Sequence, residues 1–106
     1  MIYRVIVTPA AEHDLRATYR YIRSQAPDAA RDWVRRARRA AKSLAHRPER
    51  CLLAPESDSF DQPIRELLFG TGNRGNYRIL FAVLDKTVYI LHVRHGSMLP
   101  LSPLDE

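Results

Sequence analysis

The sequence predicts an α+β domain in which an N-terminal strand and an antiparallel helical hairpin pack on a mainly antiparallel, four-stranded sheet. In the second half of the chain, three runs rich in Ile, Leu, Val, Phe and Tyr are separated by residues 70–76 and by the pair Asp85-Lys86. Such runs, bounded by turn-forming residues, are typical of consecutive antiparallel strands. The first half holds one short alternating run and two stretches of helical periodicity. The order strand, helix, helix, loop and three strands defines the α+β class.

Length and composition indicate one domain spanning residues 1–106, with residues 97–106 as a loosely held tail. No apolar run approaches the roughly 20 residues that a membrane span requires, and the apolar N-terminal run is too short for a signal peptide. We therefore expect a cytoplasmic protein without a membrane partner. The net charge of +5 and the pI of 9.9 favour an acidic or phosphate-rich partner.

The first half of the chain carries clear start and stop signals. Residues 2–8 alternate as a strand, Thr8 is placed to cap a helix, and Pro9 suits the first helical position. Helical spacing then continues to about Gln25. Pro27 opens a second helix, which we expect to end at residues 46–48. Its polar face is either a solvated surface or a binding face for an acidic protein or nucleic acid, and it carries Arg31, Arg35, Arg38, Arg39 and Lys42.

Residues 47–62 hold several loop signals and predict an irregular connection. The pattern does not say which of the later strands pairs with the first.

Cations inside the predicted strands are the candidate site residues. Arg78 alternates with the apolar row that includes Tyr77 and Ile79, so it is expected to point to an open face of the sheet. Arg65 would join it if the strand registers match, and His95 would complete a phosphodiester site, because guanidinium groups bind phosphate and His moves protons near neutral pH.

Each of these residues also has a structural interpretation. Arg65 could form an ion pair with Glu56 or Asp61 in the long loop, and His95 could cap the strand end. Simple alternation places Leu91, Val93 and His95 on one face of the last strand, with Tyr89.

Familiar catalytic motifs are missing from the sequence: there is no HExxH, P-loop or GxSxG. Cys51 is the single cysteine, and the four His residues are not at metal-ligand spacing. We therefore expect no metal and no cofactor. Any hydrolysis would proceed without metal, which suits RNA because its 2′-hydroxyl supplies a nucleophile.

The runs IRELLFG, NYRILFAV and TVYILHVRHG resemble the C-terminal half of the RelE/ParE superfamily, the toxins of type II toxin-antitoxin modules. The preceding strand and hairpin match the order of elements in that family. The resemblance implies a RelE/ParE-like toxin neutralised by a cognate antitoxin that wraps the sheet and hairpin, in a hetero-oligomer.

The superfamily contains two mechanisms. In RelE-like ribonucleases, which cut mRNA on the ribosome, the resemblance implies catalytic roles for Arg78, Arg65 and His95. The sequence lacks a Tyr after His95 and the Lys-rich strand of RelE. The long hairpin and the closing VRHG resemble instead the ParE branch, whose members poison DNA gyrase as binding proteins. The candidate partner-binding residues are the cations of the second helix and of the last strand, namely Arg31, Arg35, Arg38, Arg39, Lys42 and Arg94.

Three functions remain open from the sequence. The first is a growth-inhibiting toxin that targets DNA gyrase. The second is a ribosome-dependent, metal-independent mRNA endonuclease, and the third is a basic binding module that is not toxic. The sequence leaves open whether the chain is an enzyme.

Overall fold

The computed structural model describes residues 2–70 and 76–96. The elements are β1 (Arg4–Val7), α1 (Pro9–Gln25), α2 (Pro27–Ser43), β2 (Arg65–Phe69), β3 (Tyr77–Leu84) and β4 (Thr87–His95). The tail predicted at residues 97–106 lies outside the described residues.

The four strands form one sheet in the order β1-β4-β3-β2. Strands β2, β3 and β4 make the predicted antiparallel meander, and β1 pairs with β4 in parallel. The fold class predicted from the sequence is confirmed. The pairing that the sequence left open is resolved, since the N-terminal strand lies at the edge, beside the last strand.

The helix boundaries follow the local signals in the sequence. The Thr8 hydroxyl accepts a hydrogen bond from the Ala11 N–H, and Pro9 occupies the first position of α1. The chain turns at Ala26, whose N–H donates to the Ile22 carbonyl, and Pro27 begins α2. Because caps and prolines act within a few residues, these starts are readable from sequence.

The end of α2 falls earlier than predicted. The helix stops at Ser43, and the following residues pair with the N-terminal segment: the Tyr3 N–H donates to the Ala45 carbonyl, and Ile2 forms a bridge with His46. The Arg50 guanidinium donates to the carbonyl of Ser43 at the helix end and to those of His46 and Arg47 beyond it. Pairing with the N-terminal segment therefore ends the helix earlier than the helical periodicity of the sequence predicts.

The main core lies between the hairpin and the sheet. Trp33 of α2 is 1% exposed, and its ring centroid lies 6.0 Å from that of Phe69 and 5.3 Å from that of Tyr77. The alternating residues of β3, including Ile79 and Phe81, complete this layer. The predicted apolar row of β3 thus faces the helices.

The opposite face of the sheet is covered by residues 48–64, which we call the strap. It contains two short 3-10 helices, Pro48–Arg50 and Pro55–Ser59. The strap contributes Ala54, Phe60 and Ile64 to a second cluster with Leu80, Ala82 and Leu91 of the sheet. The expectation of an open sheet face is therefore wrong, because an irregular segment carries enough spaced apolar residues to cover it.

A bulge in β4 changes which residues share a face. Leu80 pairs with His92 whereas Phe81 pairs with Ile90, so Leu91 is an extra residue in β4. Ile90 and Val93 consequently lie together in the main core, and Leu91 packs on the strap side. The predicted common face of Leu91, Val93 and His95 is wrong, because a bulge shifts the alternation by one residue.

None of the helices in residues 2–70 and 76–96 has the length and apolar character needed to cross a bilayer.

Candidate functional site

Arg78 lies at the centre of a buried ion-pair network. Its Nη1 and Nη2 donate to the two carboxylate oxygens of Glu56 at 2.9 and 2.6 Å, and its Nε donates to Glu66 Oε1 at 2.7 Å. The side chain of Glu56 is 0% exposed and that of Arg78 is 9% exposed. Hydrogen bonds to Glu56 hold the pKa of Arg78 above its ordinary value, against the opposing effect of burial.

This network explains an Arg inside an apolar strand. Arg78 does point away from the helices, as predicted, but the strap delivers Glu56 onto it from that side. Two parallel N–H to oxygen bonds are the strongest arrangement for a guanidinium and a carboxylate. The positive charge of Arg78 is therefore neutralised by carboxylates and shielded from solvent.

Arg65 lies on the other side of the sheet. It pairs with Phe81, whose side chain faces the hairpin, whereas Arg78 faces the strap. The Arg65 Nη1 donates to the carbonyl oxygens of Cys51 at 2.7 Å and Glu49 at 3.3 Å. The interpretation that pairs Glu56 with Arg65 is wrong, since Glu56 binds Arg78.

His95 also faces the hairpin side, where it pairs with Tyr77 across the strands. The two rings meet edge to face with centroids 5.0 Å apart. A single sheet face bearing Arg65, Arg78 and His95 is therefore not formed. The strand registers place Arg78 on the side opposite the other two residues, so a catalytic role for any of them stays a prediction.

A cavity of about 420 Å³ opens beside His95. Burial, followed by the charge of Tyr21, raises the pKa of Tyr77, which lines this cavity. Arg94, predicted to bind a partner, lies here as well. The remaining lining residues are Asp14, Ala17, Thr18, Tyr21 and Val93.

Asp14 joins α1 to β4 in a way that the sequence did not indicate. Its Oδ2 accepts a hydrogen bond from the Val93 N–H at 3.0 Å and lies 3.0 Å from His92 Nδ1. Strand β1 pairs with β4 only as far as Ile90. The carboxylate therefore satisfies a backbone donor that lies beyond the end of the β1 pairing.

The hairpin also carries a groove made of two adjoining cavities of about 360 and 210 Å³, which share Leu15 and Arg38. We call it the hairpin groove. Its outer part lies between the helices and is lined by Glu12, Leu15, Arg16, Tyr19, Arg20, Arg23, Val34 and Arg38. Its inner part reaches β1 and the sheet and is lined by Val5, Val7, Leu15, Ala37, Arg38, Ala41, Lys42, Ile79, Ile90 and Val93.

The groove combines an apolar floor with a basic rim. Three of its cations, Arg16, Arg20 and Arg23, come from α1, and sequence reasoning missed them. Their spacing of four and three residues places them on one helical face, a signal that was present in the sequence. Small Ala37 and Ala41 side chains leave the floor open.

Five of the six cations predicted to bind a partner lie on α2, and the sixth, Arg94, lies on β4. Arg38 and Lys42 line the hairpin groove, whereas Arg94 lies in the cavity beside His95. The others are exposed on the outer face of α2, where Arg31 pairs with Asp28 and Arg35 lies 4.0 Å from Asp32. A hydrogen bond from Arg36 lowers the pKa of Asp32.

In the described ranges, no group of three or more His, Cys, Asp or Glu side chains could hold a metal ion.

The fold is that of the toxins in type II toxin-antitoxin complexes. It matches a structure of the chromosomal ParDE system from P. aeruginosa with a TM-score of 0.68 and 23% identity, covering 89% of this chain and 96% of that one. It also matches the RelBE2 toxin-antitoxin complex from Mycobacterium tuberculosis with a TM-score of 0.56 and 23% identity, covering 90% and 92%.

The sequence model of the family described as "ParE toxin of type II toxin-antitoxin system, parDE" matches residues 5–100. The chain belongs to this family. No curated protein sequence matches the chain.

Proposed function

We propose that this chain inhibits growth as the toxin of a type II toxin-antitoxin pair and that its target is DNA gyrase. Membership of the ParE family supports the first part. The proposal of gyrase as the target is supported chiefly by the hydrogen bonding of Arg78. A ribonuclease of the RelE kind would need this guanidinium near RNA, and here Glu56 and Glu66 accept hydrogen bonds from all three of its nitrogen atoms.

The partner that we propose for the hairpin groove is an acidic segment of the cognate antitoxin. The groove offers an apolar floor and a rim of Arg16, Arg20, Arg23, Arg38 and Lys42, against one acid, Glu12. A segment with apolar anchors and flanking carboxylates complements both properties. Support comes also from the two similar structures, whose titles describe toxin-antitoxin systems.

Two assays on the purified chain test the target. In the first, gyrase supercoils relaxed plasmid in the presence of the chain; in the second, programmed ribosomes carry an mRNA whose integrity is followed. We expect supercoiling to stop and the mRNA to stay intact. Cut mRNA would contradict the proposal and make the chain a ribonuclease, and no effect in either assay would make it a non-toxic binding module.

The variants for these assays are chosen from the buried network. Replacing Arg78 alone leaves the Glu56 carboxylate buried without a counter-charge, which lowers the free energy of unfolding by about 3–5 kcal/mol. The double variant Arg78→Met/Glu56→Leu removes both buried charges and keeps the volume filled. We expect it to inhibit gyrase as the parent does, whereas a ribonuclease that depends on Arg78 would lose activity in this variant.

A matched control is Glu66→Gln, which changes the same network at a position whose side chain is 22% exposed. Loss of gyrase inhibition in the double variant but not in this control, with both variants folded, would place Arg78 in the functional surface and contradict its structural role.

A further inference from the structure

The net charge of the molecule lies on the hairpin. Residues 9–43 hold nine Lys or Arg and four Asp or Glu, a difference of five, and the whole chain has a net charge of +5. The remaining residues are therefore neutral in sum. A molecule with its whole excess charge on one side presents a directional positive field.

The outer face of α2 concentrates this charge. Between residues 31 and 43, every exposed residue is a cation, namely Arg31, Arg35, Arg38, Arg39 and Lys42. Their helical spacing aligns them along one side of the helix. At 1.5 Å of rise per residue, the stripe is about 17 Å long.

This stripe shares Arg38 and Lys42 with the rim of the hairpin groove but otherwise lies outside it. It has no exposed apolar side chain, so it lacks the anchors that an acidic protein segment needs to be held in one position. It also has no exposed aromatic ring, on which the bases of single-stranded nucleic acid stack. A duplex backbone requires only positive charge at a suitable spacing.

The dimensions of the stripe fit B-form DNA. The major groove of B-DNA is about 12 Å wide, so a stripe of about 17 Å extends past it and brings cations to the phosphates on both sides. In A-form RNA the phosphates across the major groove are spaced differently, because that groove is deep and narrow. We infer that the outer face of α2 binds the phosphate backbone of duplex DNA, through contacts that carry no base recognition.

The existing ion pairs on this face do not prevent such binding. Both side chains of the Arg31 and Asp28 pair are largely exposed, as is Arg35 opposite Asp32. Pairs exposed in this way are weak and exchange with solvent ions. Arg35 and Arg39 lie outside the lining of the hairpin groove, so DNA and an antitoxin segment contact partly different residues.

The test is fluorescence anisotropy of a labelled duplex of about 20 base pairs, titrated with the purified chain between about 50 and 200 mM KCl. Neither gyrase nor antitoxin is present, so the result is independent of the proposed target. We expect a slope of log K against log [KCl] of about −3 to −4, since each phosphate contact contributes about −0.9.

Two double variants remove the same amount of charge from different places. Arg35→Gln/Arg39→Gln changes the stripe, and Arg4→Gln/Lys86→Gln changes exposed cations in β1 and in the β3–β4 turn. The stripe variant should weaken binding at low salt by about tenfold or more and reduce the magnitude of the slope by about two. The control variant should bind within about twofold of the parent and keep the slope.

Several results would overturn the inference. Equal weakening by the two variants would mean that net charge alone attracts DNA. Absence of binding at the lowest salt, or equal affinity for duplex RNA or for a Glu-rich peptide, would remove DNA as the specific partner class. If circular dichroism shows that the stripe variant is unfolded, Arg31→Gln/Arg39→Gln replaces it with the same expectation.

Discussion

At the scale of single residues, the role of Arg78 depends on two carboxylates that are far from it in sequence. Glu56 is 22 residues away and Glu66 is 12 residues away. Strand alternation correctly predicts the side of the sheet on which Arg78 lies. It cannot predict burial, because the loop that contains Glu56 has no periodicity and its path is set by tertiary packing.

The two carboxylates should differ in their contribution to stability. We expect Glu56→Gln to lower the free energy of unfolding by about 3 kcal/mol, because it leaves a buried guanidinium without its counter-charge. Glu66→Gln should cost about 1 kcal/mol or less, since Glu66 makes one bond and is partly solvated. Urea unfolding followed by the fluorescence of Trp33, the single tryptophan, measures both. Equal losses of stability in the two variants would show that the bidentate bond between Glu56 and Arg78 contributes no more than the single bond from Arg78 to Glu66.

The thiol of Cys51 should be protected in the folded chain. It is 7% exposed, and burial raises its pKa above its ordinary value of 9.0. The folded state therefore keeps the proton at a pH at which the unfolded state loses it, so the contribution of Cys51 to stability decreases as the pH rises above about 9.

Two measurements check this thiol. Ellman's reagent at pH 8 should react slowly with the native chain and rapidly in urea, because the thiolate is the reacting species. A Cys51→Ser variant should lose less stability than the parent between pH 8 and pH 10. Rapid reaction of the native chain would contradict the protected thiol.

At the scale of elements, the features set by neighbouring residues are the ones that sequence reasoning predicted well. The Thr8 cap and the prolines at positions 9 and 27 fixed the starts of both helices. The bulge at Leu91 was not predictable, because alternation carries no mark of an extra residue. The groove cations on α1 were visible in the sequence, but their convergence with Arg38 requires the angle between the helices.

The hairpin groove gives the element-scale prediction. Replacing Ala41 with Trp fills the floor of the groove with a large side chain, so binding of the cognate antitoxin should weaken by about 100-fold or more, equivalent to about 3 kcal/mol. Calorimetry of the purified pair measures this change. Ala29→Trp, on an exposed part of α2, is the matched control. If both variants bind as the parent does, the antitoxin binds elsewhere.

At the scale of the whole molecule, the sheet separates two surfaces of different character. One side carries the hairpin with the entire excess positive charge. The other side carries the strap, which is held to the sheet by the ion pair between Glu56 and Arg78. The strap region from residue 51 to residue 64 contains three acids and no Lys or Arg. The composition shows that the net charge is positive, whereas the fold is needed to show that this charge lies on the hairpin side of the sheet.

The pairing of β1 with β4 sets the order of events when the chain is made. The backbone N–H of Thr8 donates to the carbonyl of Ile90, 82 residues later. At a translation rate of about 5–20 residues per second, the first strand waits about 4–16 s for its partner. Until then, the sheet cannot close and the β1 wall of the hairpin groove does not exist. A ribosome that stalls before the last strand therefore yields a chain without the completed sheet, and the finished fold appears only after β4 has been made.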